Sequence, residues 1–168
     1  MGKIIILRGN CASDKSTTAI ALQKKLRRGN LLIPQDTARR EMLRVKDVPN
    51  NPSIELMKTL VKFGATNCDY TILEGVLYSD VNKSLFKYIV ELFGKQIYAY
   101  YFDIPFNETL VRQKQRPTCN QWGETELRAY WREKDLLKFI PEKTIDSVAM
   151  NPDQIVQMIL KDIGVSLC

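Results

Sequence analysis

Apolar residues along this chain fall into two patterns. Short unbroken runs alternate with longer stretches in which they recur every three or four positions. Residues 3–7 (Lys3 and then Ile-Ile-Ile-Leu) are apolar after the lysine, as in a strand buried on both faces. Ala19, Ile20, Leu22, Gln23 and Leu26 predict a helix over 16–27, broken by Gly29 and Asn30. A second strand is expected over 31–33, then a helix over 37–44 beginning behind Asp36. Two prolines and several turn formers make 46–53 a loop. Ile54, Met57, Leu60 and Val61 predict a helix over 53–62, with scope to reach Asn67. The third strand is 70–74, the next helix 81–93 and the fourth strand 96–102. Asp103 reads as a turn residue and cap for a helix from Phe106 to about Gln115. A loop over 116–123, a charged helix over 124–139 and a short strand over 144–146 follow. Asn151 then caps a last helix with Pro152 at its first position.

Short apolar strands alternating with amphipathic helices imply an α/β fold, a doubly wound parallel sheet of about five strands. The chain has 168 residues and is 45% hydrophobic, which suits one domain spanning 1–168. In such sheets ligands bind outside the carboxyl ends of the strands. Residues 9–16, Asp36, Glu74, Asp103 and Asp146 all fall near such ends.

Composition removes several functions. Histidine is absent, so a histidine general base is excluded. Cys11, Cys68, Cys119 and Cys168 are scattered without metal-ligand spacing, which implies a reduced, cytoplasmic protein without structural zinc. Neither a signal peptide nor a membrane-spanning stretch is expected. The net charge of +6 allows anionic partners, but no basic run is long enough to be a nucleic-acid tail. Oligomeric state is not readable.

The strongest chemical signal follows the first strand. Gly9, Lys15 and Ser16 occupy three of the four invariant places of the phosphate-binding loop G-x-x-x-x-G-K-[ST], with Asn10, Cys11, Ala12 and Ser13 between and Thr17 after. Inward-turned backbone N–H groups and the start of the following helix would hold phosphates. Lys15 would reach the outer phosphates and Ser16 would hold Mg²⁺. The fourth place, normally glycine, is Asp14. If the position needs a glycine-favoured backbone, aspartate tolerates it with strain, and its carboxylate is expected to repel a triphosphate. Asp36 would take the proton of an attacking hydroxyl, with Arg39 or Arg40 on its side of the helix holding the acceptor. Glu74 would bind metal through water or orient a substrate hydroxyl. Arg112 and Arg116, with Arg128 and Arg132 on the next helix, would close as a lid over about 112–132 and neutralise the transferring phosphoryl group. Trp122 and Trp131 are expected to pack this lid, and the insert over 43–62 to shape the acceptor pocket.

Residues 9–17 together with Asp36, Arg39, Glu74-Gly75 and the 112–116 stretch resemble the small P-loop kinases of the adenylate-kinase-like superfamily. Polynucleotide 5′-hydroxyl kinases, chloramphenicol phosphotransferases and zeta-toxin-like kinases are the nearest in pattern. The resemblance implies a three-layer P-loop NTPase fold with strand order 2-3-1-4-5 and a helical lid. It implies ATP or GTP with Mg²⁺, Lys15 on the phosphates, Ser16 on the metal and Asp36 as base. Arg39 or Arg40 would contact the acceptor, and Arg112 or Arg116 the transferred phosphate. The acceptor is a hydroxyl of a nucleoside, a polynucleotide 5′-end or a small molecule. A non-catalytic, ligand-binding relative of such kinases is the alternative, with a nucleic-acid-binding module behind it.

Overall fold

A computed structural model describes residues 2–115 and 123–165. Five parallel strands form one sheet: β1 (Lys3–Gly9), β2 (Leu31–Pro34), β3 (Tyr70–Gly75), β4 (Ile97–Asp103) and β5 (Glu142–Asp146). Their spatial order is β2-β3-β1-β4-β5. In register, Ile5 stands beside Ile72 on one side and Tyr98 on the other.

The alternation of β1 divides the core. Ile4 and Ile6 face one layer, built on α2 (Pro52–Asn67) and α3 (Lys83–Phe93). Ile5 and Leu7 face the other, built on α1 (Lys15–Lys25) and α6 (Pro152–Asp162). All four are fully buried, which is why the run carries no polar position. The remaining helices, α4 (Phe106–Lys114) and α5 (Glu124–Tyr130), lie beyond β4 in the chain. The sheet, its order and its two helical layers are therefore those of the P-loop kinase fold expected above.

Local chemistry sets the helix starts. Asn51 accepts a hydrogen bond from the Ser53 N–H at 3.0 Å, and Pro52 opens α2. Asn151 and Gln154 form a reciprocal capping box at α6, each bond 3.0 Å. By contrast, α1 has no side-chain cap; it grows directly out of the loop after β1.

Four expectations need correction. The charged helix ends at Tyr130, not Phe139. The reason is competition from afar. Asn10 Nδ2 donates to the Arg132 carbonyl at 2.6 Å, and the Arg132 N–H donates back to Asn10 Oδ1 at 2.9 Å. Arg8 donates to the Asp135 carbonyl at 2.5 Å, and the Asp135 N–H donates to the Tyr101 hydroxyl at 3.2 Å. These bonds satisfy backbone groups that a helix would otherwise pair. Arg132 consequently lies off the helix that carries Arg128. The segment after Asp36 forms a wide π-helical turn, Thr37–Met42, that stops before Arg44, whose φ is +54°. Asp103 ends β4 and caps nothing; Pro105 precedes α4.

Candidate active site

The loop after β1 wraps back on itself. Gly9 has φ +140°, and a Cβ there would lie 2.4 Å from the Phe102 carbonyl oxygen, so the close approach of β4 demands glycine. Ala12 and Asp14 both take left-handed backbone, at φ +59° and +66°. Asp14 thus meets the condition under which aspartate is strained there: its backbone is left-handed, as glycine prefers. Ser13 donates to the Asn10 carbonyl at 2.8 Å. Lys15 is buried and its Nζ donates to the same carbonyl at 2.6 Å and to Ser13 Oγ at 3.1 Å. The lysine therefore folds over the concave side of the loop, and neither Ser13 nor Asp14 caps α1 through its side chain.

Ser16, on the first turn of α1, donates to both oxygens of Glu74 at 3.2 and 3.1 Å. Glu74 is the penultimate residue of β3, opposite Leu7 of β1, so the parallel register delivers it to the loop. Burial raises its carboxyl pKa, while the Lys15 charge and the Ser16 hydroxyl oppose that rise. Of the two roles expected of Glu74, on metal through water or on a substrate hydroxyl, its contact with Ser16 lies on the side of the first. A hydroxyl beside a carboxylate is an oxygen donor set of the kind Mg²⁺ takes, usually with waters completing the shell.

The Asp14 carboxylate points to α4. It pairs with Arg112 Nη1 at 2.8 Å. Arg112 also pairs with Glu108 at 2.9 Å and donates to the Ser147 carbonyl at 2.7 Å. The arginine expected to meet a transferred phosphate is thus tied to the residue that departs from the motif. Arg116 and Trp122, with the rest of 116–122, lie outside the described residues. Arg128 pairs with Glu124 and stands over the Phe106 ring; Trp131 meets the same ring edge-on at 5.7 Å, a packing role as expected. Arg132 pairs with Asp80 at 2.6 Å and lies over the Tyr78 ring.

Beside the loop opens a cavity of about 600 Å³. Cys11 of the loop and Asp36 share its wall with Arg39, Asp47, Tyr78 and Tyr130. Asp36 is mostly exposed and pairs with Arg39 at 3.0 Å and Arg40 at 3.2 Å. Asp36, Arg39 and Arg40 are thus brought together, as expected, and the 43–62 insert contributes Lys46, Asp47 and Val48 to the wall. Thr17 is exposed behind the loop, at the start of α1.

Three residues escaped the sequence reading. Asp47 stands in what reads as a solvated loop, yet it is half-buried and burial raises its pKa. Gln35 immediately precedes Asp36 at a strand end, and that position was the signal available. Arg8 was legible in hindsight of pattern alone: a charge directly after a run buried on both faces needs partners. It is fully buried and ion-paired to Asp135 at 2.8 Å and Glu142 at 3.1 Å.

No family profile matches the chain, and no curated protein matches it by sequence. Solved structures match over nearly its whole length. A tunicamycin resistance protein from Deinococcus radiodurans is 18% identical with a TM-score of 0.72, covering 100% of this chain and 99% of its own. The APS kinase of Mycobacterium tuberculosis, in complex with AMPPNP and APS, is 15% identical with a TM-score of 0.63, at 95% and 96% coverage. Shikimate kinase from Acinetobacter baumannii, in complex with shikimate, is 18% identical with a TM-score of 0.60, at 97% and 93% coverage. At these identities the likeness is one of fold. Among the described residues no helix is long and apolar enough to cross a membrane.

Proposed function

We propose that the chain is a kinase that transfers the γ-phosphate of ATP or GTP to a hydroxyl of a nucleoside, a polynucleotide 5′-end or a small molecule. One observation carries this reading: a single cavity is walled both by the phosphate loop, through Cys11, and by Asp36. Phosphoryl transfer asks for positioning and charge stabilisation more than for covalent chemistry, and the site supplies both. The loop N–H groups and Lys15 hold the β- and γ-phosphates. Ser16, backed by Glu74, would hold Mg²⁺, which would neutralise phosphate charge. Asp36 accepts the hydrogen of the acceptor hydroxyl. As that oxygen bonds to the γ-phosphorus, the bond to the bridging oxygen breaks, the nucleoside diphosphate leaves and the proton passes to Asp36. Arg39 and Arg40 hold Asp36 toward the cavity and contact the acceptor. The kinase neighbours of like fold support the same reading, since the named complexes hold an ATP analogue or an acceptor.

A second reading rests on Asp14. Its carboxylate stands in the phosphate loop and engages Arg112, which favours a ligand-binding relative that does not turn over. Calorimetry with MgATP and MgGTP on the full chain, followed by radiolabelled transfer to a panel of nucleosides, oligonucleotides and polyols, separates the two. The kinase reading expects nucleotide binding that Lys15→Ala abolishes and transfer that Asp36→Asn abolishes. Weak or absent nucleotide binding and no transfer by the native chain, with binding gained in Asp14→Gly, supports the second reading. Binding by neither protein rejects the kinase reading, and tight binding with transfer by the native chain rejects the second.

A further inference from the structure

Lys24, Lys25, Arg27 and Arg28 place four exposed cations within five residues, in a chain whose net charge is +6. No acid lies between Asp14 and Asp36 in the sequence. None of the four cations forms an ion pair among the described residues. Arg8, Arg39, Arg40, Arg112, Arg128 and Arg132 each hold a carboxylate, so Arg27 and Arg28 stand apart.

The helix accounts for only part of the cluster. Lys24 and Lys25 lie in the last turn of α1 and suit its negative end. Arg27 and Arg28 lie beyond the helix, after Leu26 has already turned extended at φ −74° and ψ 158°. Four neighbouring like charges repel, and no group of the chain described here relieves them. The turn that carries them is nevertheless fixed. Leu26 is buried in the layer built on α1 and α6. The Asn30 side chain donates to the Arg27 carbonyl, and its Oδ1 accepts from the Tyr70 N–H at 3.0 Å. Gln23 Nε2 donates to the Asn30 carbonyl at 3.1 Å. The cations therefore stand on a base tied to the start of β3, which lowers the ordering cost of binding.

Position separates this cluster from the candidate active site. From the phosphate loop, α1 runs back to the amino edge of the sheet. Packed beside it, α6 returns in the same sense and adds the exposed Lys161 in its last turn, while Asp162 is taken by Lys143 at 2.8 Å. The side chains narrow the partner. Over 23–30 the one large apolar residue is Leu26, which is buried, so the cluster has nothing to insert among lipid tails. Guanidinium groups engage phosphate oxygens two at a time.

Independently of the kinase reading, we propose that the end of α1 and its following turn are a docking surface for the phosphodiester backbone of a nucleic acid. Charge holds the backbone there without reading base sequence. The surface is a folded patch rather than a basic tail.

Fluorescence anisotropy of the full chain tests this with labelled single-stranded DNA, single-stranded RNA and duplex DNA of one mixed sequence, each about 20 nucleotides long. All three are expected to bind. With four phosphates engaged, affinity should fall about 150-fold for the duplex and about 50-fold for single strands between about 50 and 200 mM salt. Changing all four residues to glutamine should weaken binding at least about 30-fold at the lower salt. A matched variant, with the exposed Lys62, Lys83, Lys87 and Lys95 changed to glutamine, has the same net charge and should stay within about threefold of the native chain. Each single change, Lys24→Gln, Lys25→Gln, Arg27→Gln or Arg28→Gln, should flatten the log–log salt slope on the duplex by about 0.9, a readout that stands even if the fourfold variant misfolds. No binding to any of the three overturns the proposal. So does equal loss in the matched variant, or a salt slope unchanged by all four single changes. Tighter binding to phosphatidylglycerol–phosphatidylcholine vesicles than to the duplex overturns it in favour of a membrane. MgATP affinity, measured alongside, reports on the kinase reading separately.

Discussion

Replacing Asp14 by glycine should tighten nucleotide binding by about 10- to 100-fold while leaving fold stability nearly unchanged. The stability side is a near cancellation. Residue 14 holds φ +66°, and left-handed backbone costs a side-chain-bearing residue roughly 1–2 kcal/mol, aspartate toward the lower end. Glycine relieves that cost but loses about 0.5–1 kcal/mol to chain entropy. The partly exposed pair with Arg112 contributes up to about 1 kcal/mol more to the native chain. The net is within about 1 kcal/mol, a melting shift of about 2–4 °C at most. The binding side does not cancel. Two like charges about 4 Å apart repel by about 4 kcal/mol at an effective dielectric of about 20. Arg112, 2.8 Å from the carboxylate, offsets part of this and leaves about 1.4–2.8 kcal/mol. Calorimetry with MgATP on native, Asp14→Gly and Asp14→Asn chains measures it. The asparagine form tolerates the same backbone without the charge, so it should recover most of the gain. A difference under twofold between native and Asp14→Gly would refute the electrostatic argument. So would an asparagine form that matches the native chain.

Other changes read other parts of the molecule. If Lys15 holds the phosphates as proposed, Lys15→Ala should weaken MgATP at least about 100-fold by calorimetry, with circular dichroism unchanged. Asp36→Asn should leave nucleotide affinity within about twofold and abolish transfer in a radiolabel assay. Arg8→Met, which strands two carboxylates, should cost about 3–5 kcal/mol in urea unfolding, whereas the triple change that also neutralises Asp135 and Glu142 should recover much of it. Asp47→Asn should raise the melting temperature more at pH 7 than at pH 4. Burial lifts the folded pKa of Asp47 above its ordinary value of 3.8, so its contribution is favourable below that value and is lost as pH rises through the folded pKa. A pH-independent gain would contradict the burial of its charge.

The sheet was legible because its physics is local. Four short apolar runs hide from water as strands, β5 adds only Ile145 to the core, and the motif after the first run marks the edge where its loop sits. Capping signals were equally local, and Asn151 with Pro152 starts α6 where the pattern says. What the pattern could not carry was any bond whose partner lies far along the chain. Residues 131–141 have helical composition, but Arg8 and Asn10, more than 120 positions away, take their backbone groups first. Asp47 was hidden for the same reason: an acid after Lys46 and two residues before Pro49 reads as solvated until Gln35 and the cavity wall are placed beside it. The Asp14 conformation was foreseeable from its place in the motif, whereas its pairing with Arg112, 98 positions on, was not.

The phosphate loop keeps its shape without the usual glycine because other groups hold it. Ala12 and Asp14 both accept left-handed backbone, and the Asn10 carbonyl gathers Ser13 and Lys15 while the Asn10 side chain grips Arg132. Each of those bonds survives Asp14→Gly. On the proposed reading, backbone shape and phosphate affinity are set by different atoms of the same turn: the first by Asn10 and its partners, the second by the charge at residue 14. It follows that Asn10→Ala and Asp14→Gly should act on different properties. Asn10→Ala frees the Arg132 backbone and loosens the turn, lowering stability by about 1–3 kcal/mol for the groups left unpaired. Asp14→Gly changes affinity at almost constant stability. Measured in the double variant, the two effects should add within about 0.5 kcal/mol, since they touch no common partner. A larger coupling would show that the loop's shape and its charge are one property after all.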